Sequence, residues 1–295
     1  MTGGTPSAHW QIDEALVRRL LREQHPDLAK ASLKVLDSGW DNETFRLGEH
    51  LVVRLPRRQK AVALLEREQV WLPKLARSLP IAVPVPERIG KPTAYYPCPW
   101  SILPWLPGKT ADLEAPGPKQ APRLARFLRA LHQPAPVEAP RSPVRGVDLC
   151  LRAAVVEERL QGLRGKRELV TGEILEAWRR ALAAPKEPDK CWLHGDLHAR
   201  NVLVEKGVLT GILDWGDLTA GDVATDLAAP WMLWDDRQTR GAFLEAYQPT
   251  EALLDRGIGW AISFAALLLS SGLVDHPRHA AMGARAFRRL QQDLQ

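Results

Sequence analysis

The sequence predicts an α+β protein of two lobes, with strands first and helices later. Three observations predict it. Short strand candidates cluster before residue 56. Eight prolines crowd the 28 residues from Pro80 to Pro107 and exclude long helices there. Beyond that stretch helical patterns dominate, with one hairpin set among them. The lobe boundary is expected near 104–110, giving an N-terminal lobe over 1–106 and a C-terminal lobe over 107–295.

Each element follows from local pattern. Asp13 caps a helix through Gln24, in which Leu16, Val17, Leu20 and Leu21 form one apolar stripe. Leu33–Asp37, Glu43–Leu47 and Leu51–Leu55 read as strands, the last two joined by a tight turn at Gly48-Glu49. Ala61–Ala76 reads as a helix that Pro73 should kink or end early. In the proline-rich stretch, Val83–Ile89 and Trp100–Leu106 remain as strand candidates. Helices follow over Gln120–Gln133, Leu151–Leu163 and Thr171–Leu182. Val202–Val204 and Val208–Leu213 then pair as strands around Lys206-Gly207. Four more helices are expected, over Val223–Trp234, Gly241–Tyr247, Glu251–Leu273 and His279–Leu294.

Composition narrows the function class. The 295 residues are 45% apolar, an ordinary globular value that argues against disorder. The net charge is +5, yet no long basic run is interleaved with aromatics, so no nucleic-acid partner is expected. A basic cleft for a polyanion such as a nucleoside triphosphate fits the same charge. Three scattered cysteines, Cys98, Cys150 and Cys191, make no CxxC pair, which points to a reducing compartment. Met1–Trp10 is polar and lacks a signal-peptide core, and the apolar run Ile258–Val274 reads as a buried helix. A cytoplasmic protein without a membrane partner, monomeric or homodimeric, is the expectation.

The densest chemistry lies in Trp192-Leu-His194-Gly-Asp196-Leu-His198-Ala-Arg200-Asn201, followed eighteen residues after Asp196 by Asp214-Trp-Gly-Asp217. Phosphoryl transfer to an alcohol needs an acceptor for the hydroxyl proton, and Asp196 can serve. It also needs a hard cation on the phosphates, for which Mg²⁺ prefers oxygen ligands. Asp214 offers a carboxylate and Asn201 an amide oxygen, brought together by the ends of the Val202–Leu213 hairpin; Asp217 is a weaker candidate. His194 reads as a structural residue that holds the loop. His198 and Arg200 either touch phosphate or face solvent. Asp222 and Asp226 read as helix caps or braces.

These residues carry a resemblance. His194, Asp196 and Asn201 stand at the places of an H-x-D-x-x-x-x-N catalytic loop, and Asp214 stands where a DFG motif has its Asp, with Trp215 in place of the Phe. The HGD opening and Gly221-Asp222…Asp226-Leu-Ala make the sequence resemble the aminoglycoside-phosphotransferase family, and protein kinases more distantly. The match is specific from about 190 to 228. It implies a bilobal protein-kinase-like fold: an N-terminal antiparallel sheet lobe with one main helix, and a larger, mostly helical C-terminal lobe. It also implies a small-molecule kinase that uses ATP or GTP with Mg²⁺ and phosphorylates a hydroxyl of a small molecule, such as an antibiotic.

The nucleotide half is read in the same way. The turn around Ser38, Gly39 and Asn42, between the first two strands, can fold over phosphates and offer backbone N–H groups. It has one glycine and can equally be a plain hairpin turn. The resemblance implies a phosphate-binding lysine on the third strand, paired with a helix carboxylate. This chain has Arg54 there, which keeps the charge with a different geometry. Glu68 is the expected partner, with Glu66 second. Arg57 and Arg58 read as a solvated turn. Trp100–Leu106 resembles the strand and linker that hold the base, with Ile102, Leu103 and Leu106 as apolar walls.

The acceptor side is open. Asp235, Asp236 and Glu245 would make an acidic wall for a polycation, whereas Trp231 and Trp234 would suit an apolar or sugar-bearing acceptor if they do not belong to the core. Two other readings stand beside the kinase. His194, Asp196 and His198 form an H-x-D-x-H cluster that a metal-dependent hydrolase could use. Arg54 in place of lysine would suit a nucleotide-binding pseudokinase.

Overall fold

The computed structural model describes residues 7–166, 168–186 and 190–295. Its first part is a five-stranded antiparallel sheet. The strands are β1 (Leu33–Ser38), β2 (Asn42–Leu47), β3 (Leu51–Pro56), β4 (Arg88–Gly90) and β5 (Trp100–Pro104), in the order β1-β2-β3-β5-β4. Helix α1 (Glu14–Gln24) precedes the sheet, and its N-terminus is capped by Asp13, which accepts from Leu16 N at 2.8 Å. Helix α2 (Gln59–Leu75) carries Pro73 without breaking, because the proline lies in its last turn. Val17, Leu20, Phe45, Val53, Leu55, Trp100 and Ile102 fill a small core between α1 and the sheet.

The expected strand over Val83–Ile89 shrinks to Arg88–Gly90. Pro84 and Pro86 lack the N–H groups that a ladder needs, so pairing starts only beyond them.

The remainder is mainly helical: α3 (Ala121–Leu131), α4 (Ala153–Gly162), α5 (Gly172–Ala183), α6 (Ala229–Leu233), α7 (Arg237–Tyr247), α8 (Glu251–Asp275) and α9 (Pro277–Leu294). Helix α8 is long and apolar enough to cross a membrane, yet 78% of its most apolar window is buried among the other helices, so it is the core helix of this part. The expected helix Val223–Trp234 is instead a 3-10 segment, Val223–Ala228, followed by the short α6. Trp231 and Trp234 are buried in the large core.

Two small sheets sit among these helices. Strands β6 (Lys109–Thr110), β8 (Val202–Glu205) and β9 (Val208–Ile212) form one, and β7 (Cys191–Leu193) pairs with β10 (Thr219–Gly221) in the other. Strand β7 leads directly into the catalytic-loop motif. The β8–β9 hairpin carries Asn201 before its first strand and Asp214 after its second. Arrangement and composition together are those of an α+β protein.

Candidate active site

A cleft of about 600 Å³ lies between the five-stranded sheet and the helical part. Asp196, Asn201 and Asp214 all line it. The hairpin explains the meeting of the last two, since Leu213 N donates to Asn201 O at 2.8 Å and closes the ribbon at its base. Asn201 Nδ2 donates to Asp196 O at 2.9 Å and to its Oδ2 at 3.3 Å. Its nitrogen is thus committed to the loop, and its amide oxygen is kept for another partner. Asp214 has φ 57° and ψ 73°, a left-handed conformation that aspartate tolerates better than most residues and that often marks functional turns.

The loop is held from beneath. Asp226 is fully buried and accepts from His194 N at 2.7 Å, from Gly195 N at 2.8 Å and from His132 Nε2 at 3.2 Å. Burial acts to raise its carboxyl, but the His132 bond and charge outweigh that and hold it below the ordinary carboxylate range. Asp226 therefore braces the catalytic loop, whereas the sequence suggested a cap or brace at a helix. Asp222 does cap the 3-10 segment, through Ala224 N at 3.0 Å, and pairs with Arg256 at 2.7 Å. Gly195 sits at φ +87°, and a Cβ there would lie 2.7 Å from Asp217 O, so the motif requires glycine at that place.

His194 is structural. Its Nδ1 accepts from Asp196 N at 3.2 Å and its Nε2 donates to Leu213 O at 2.8 Å. With both ring nitrogens committed, it cannot ligate a metal. Among the described residues no group of three or more His, Cys, Asp and Glu side chains is arranged to hold a metal ion. The H-x-D-x-H hydrolase reading is therefore not favoured. The oxygen donors of Asp214 and Asn201, with no thiolate near, fit a hard, partly hydrated cation such as Mg²⁺.

Arg145 is the site residue that the sequence did not reveal. Its Nη2 donates to Asp196 Oδ1 at 2.7 Å, and its Nε lies 3.4 Å from Asp217 Oδ2. Burial tends to lift the Asp196 carboxyl, but Arg145, aided by His198, keeps it below its usual range. Asp217 is different: burial dominates, Asp196 and Asp214 add to it, and its carboxyl is pushed up to about 6. His198 lines the cleft 3.4 Å from Asp196 Oδ2. Arg200 also lines it and bonds to His279 Nε2 at 2.9 Å.

On the sheet side, Arg54 and Glu68 form a buried ion pair behind the cleft. Glu66 points outward, so helix phase chooses Glu68. Burial opposes the Arg54 charge, and Glu68 more than offsets it, keeping the guanidinium protonated. Gly39, Asn42, Leu103 and Leu106 line the cleft, as does Arg54 itself. Besides Glu68, which lies behind Arg54, two expected residues do not. Ile102 is fully buried in the small core opposite Val53, on the face of β5 away from the cleft. Ser38 is exposed and gives its hydroxyl to Glu43 Oε1 at 2.6 Å. Arg57 and Arg58 are more than a solvated turn: Arg57 donates to Ser38 Oγ and Gly39 O, both at 2.9 Å, and Arg58 pairs with Asp41. They pin the loop, whose Trp40 reaches His279 of α9 edge-on at 6.1 Å.

Asp235, Asp236 and Glu245, one of the two options the sequence left open for the acceptor side, do not form a wall of the cleft. Asp235 pairs with Arg289 at 2.7 Å, Asp236 caps α7, and Glu245 lies exposed on α7; none lines the cleft.

Comparison with known proteins agrees with this geometry. The chain resembles the GDP and kanamycin complex of APH(2")-IIia, with a TM-score of 0.72 and 18% identity over 95% of this chain and 99% of that one. It resembles macrolide 2'-phosphotransferase MphH from Brachybacterium faecium, with a TM-score of 0.61 and 22% identity over 92% and 97%. It also resembles the streptomycin-ATP-APH(2")-IIa ternary complex, with a TM-score of 0.59 and 20% identity over 85% and 89%. None of the curated proteins matches it. The model of the phosphotransferase enzyme family matches residues 32–260, most of the chain, so this protein belongs to that family and is a phosphotransferase with a kinase-like fold.

Proposed function

We propose that this enzyme moves the γ-phosphoryl group of ATP or GTP to a hydroxyl of a small molecule, with residues 1–106 binding the nucleotide and 107–295 carrying the catalytic loop and the acceptor. The observation that carries the reading is the convergence of Asp196, Asn201 and Asp214 on one rim of the cleft. Solved proteins of the same fold hold GDP or ATP, which is consistent with a nucleotide in this place. Some of them hold kanamycin or streptomycin, so an antibiotic-like hydroxyl compound is one class of acceptor.

Each residue has a distinct task. Asp196 takes the acceptor's proton. Arg145 occupies Oδ1, which leaves Oδ2, in longer contacts of 3.3 and 3.4 Å, as the oxygen able to receive it. Arg54, fixed by Glu68, binds phosphate oxygens. Gly39 and Asn42 fold over the triphosphate, and Leu103 and Leu106 flank the base. Asp214 and Asn201 would hold Mg²⁺, which would supply positive charge to offset that of the phosphates. None of the three cysteines forms a disulfide, which suits a reducing compartment, and we place the enzyme in the cytoplasm.

Asp214→Ala should abolish the Mg²⁺ dependence of nucleotide binding in a calorimetric titration. A variant that binds Mg·ATP and Mg·GTP as the parent does would contradict the metal assignment.

A further inference from the structure

One part of the cleft holds a chain of ring contacts with no role in the steps above. Trp40, on the loop between β1 and β2, meets His279 of α9 edge-on at 6.1 Å. The His279 ring in turn lies 6.5 Å from that of His198 in the catalytic loop. Arg200 is tied to this chain: its Nη1 donates to His279 Nε2 at 2.9 Å and lies 3.2 Å from His276 Nε2. His276, at the corner between α8 and α9, stacks on His279 at 3.8 Å and so fixes the ring that grips the arginine. Trp40, His198, Arg200 and His279 all line the cleft.

The cluster contains sheltered donors without acceptors. His279 is only 7% exposed, and its Nδ1 has no hydrogen-bond partner among the described residues. The same is true of the buried Trp40 Nε1. Because His279 Nε2 accepts from Arg200, the neutral ring carries its proton on Nδ1, which is therefore a donor. Burial, reinforced by His276, Arg200 and His198, pushes His279 down to about 3, so the ring is neutral at neutral pH. The indole Nε1 is a donor only. Sheltered donors normally find partners, so two orphaned ones beside a guanidinium point to acceptor oxygens that arrive with a ligand. A neutral imidazole accepts an N–H without bringing a negative charge, so the His279 bond fixes Arg200 and cancels none of its positive charge.

Position says which oxygens these are. Trp40 sits between Gly39 and Asn42, the residues that fold over the triphosphate. Arg200 directly precedes Asn201, and His198 lies 3.4 Å from Asp196 Oδ2. The cluster therefore reaches from the triphosphate loop to the base, and the γ-phosphoryl group is what passes between them. We propose that Arg200 is a catalytic residue that contacts the γ-phosphoryl oxygens, with His279 Nδ1 and Trp40 Nε1 as further donors to them. The inference rests on the phosphotransferase reading above and extends its machinery. As the acceptor oxygen bonds to phosphorus, its proton passes to Asp196, and the bridging oxygen leaves with its electron pair on the nucleoside diphosphate. Negative charge spreads over the three equatorial oxygens of the moving group, where a fixed guanidinium and fixed N–H donors act most strongly.

The test compares triphosphate with diphosphate on the full chain, by calorimetric titration of AMP-PNP against ADP and of GMP-PNP against GDP, all with Mg²⁺. Arg200→Gln should weaken triphosphate binding at least ~10-fold relative to diphosphate, because only the triphosphate carries the γ-phosphoryl group. Diphosphate affinity and the Mg²⁺ concentration that half-saturates binding should stay unchanged, which certifies the fold and separates Arg200 from its neighbour Asn201. With any accepted alcohol, kcat should fall at least ~100-fold. His279→Phe keeps a stacked ring and removes both nitrogens, and it should shift the same ratio in the same direction; it carries the test if Arg200→Gln does not fold. A role confined to tying the catalytic loop to α9 would lower stability and leave the ratio where it was. Two results overturn the proposal: a triphosphate-to-diphosphate ratio that neither variant moves, or a loss that follows a changed Mg²⁺ requirement. A parent chain that binds no nucleotide would defeat the phosphotransferase reading and this role with it, whereas an unmoved ratio in a chain that binds both defeats the role of Arg200 alone.

Discussion

The two walls of the cleft are built by opposite means. On the nucleotide side, one buried cation is matched by one buried anion: Arg54 against Glu68, each nearly sealed from solvent. On the acceptor side, one arginine is shared between two carboxylates: Arg145 donates to Asp196 Oδ1 at 2.7 Å and its Nε lies 3.4 Å from Asp217 Oδ2. The buried pair fixes the direction in which Arg54 meets the cleft. The shared guanidinium instead acts on its carboxylates, holding Asp196 below its usual range and opposing the burial that pushes Asp217 up to about 6. The difference teaches that the first wall positions a charge, whereas the second tunes the carboxylate proposed as the base.

The two sides should therefore fail differently. Asp196→Ala should lower kcat at least ~100-fold with little change in nucleotide KM, the usual scale for a lost general base. Steady-state kinetics on any accepted alcohol checks this, and a parallel rise in nucleotide KM would blur the division between the walls. Asp226→Asn should destabilise the fold by about 2 kcal/mol, because a charged acceptor of several buried bonds becomes a neutral one. The sign of its pH dependence is fixed by the depressed carboxyl. Its contribution is complete above the unfolded value of 3.8 and lost as pH falls through the lower folded value. Urea denaturation should then show a gap between parent and variant at pH 7 that narrows as the pH drops below that range. Arg54→Ala should raise nucleotide KM about tenfold, the scale of one lost charge-assisted contact, with kcat less affected. An unchanged KM would mean that Arg54 only neutralises Glu68.

Much of the site was legible because its parts lie close in sequence. Asp196, Asn201 and Asp214 are bound by one short ribbon, and the ribbon was visible as two apolar runs about a Lys-Gly turn. Glu68 over Glu66 needed only the phase of a helix that the pattern already predicted. Arg145 was not legible, for its partners lie 51 and 72 residues away and no periodic signal surrounds it. The same holds for Asp226, whose bonds to His194 and Gly195 span 32 and 31 residues. Strands β7 and β10, at three residues each, are too short for alternation to appear. Ile102 was misplaced because neighbouring strand residues face opposite ways, and only the pairing with Val53 tells which side is which.

Helix α2 spans two territories. Val62 near its start packs on the small core, while Trp71, Leu72 and Leu75 near its end belong to the large one. Glu68 lies between these anchors. A carboxylate carried on a beam clamped at both ends keeps one bearing, so the arginine it grips faces the cleft from a fixed mount.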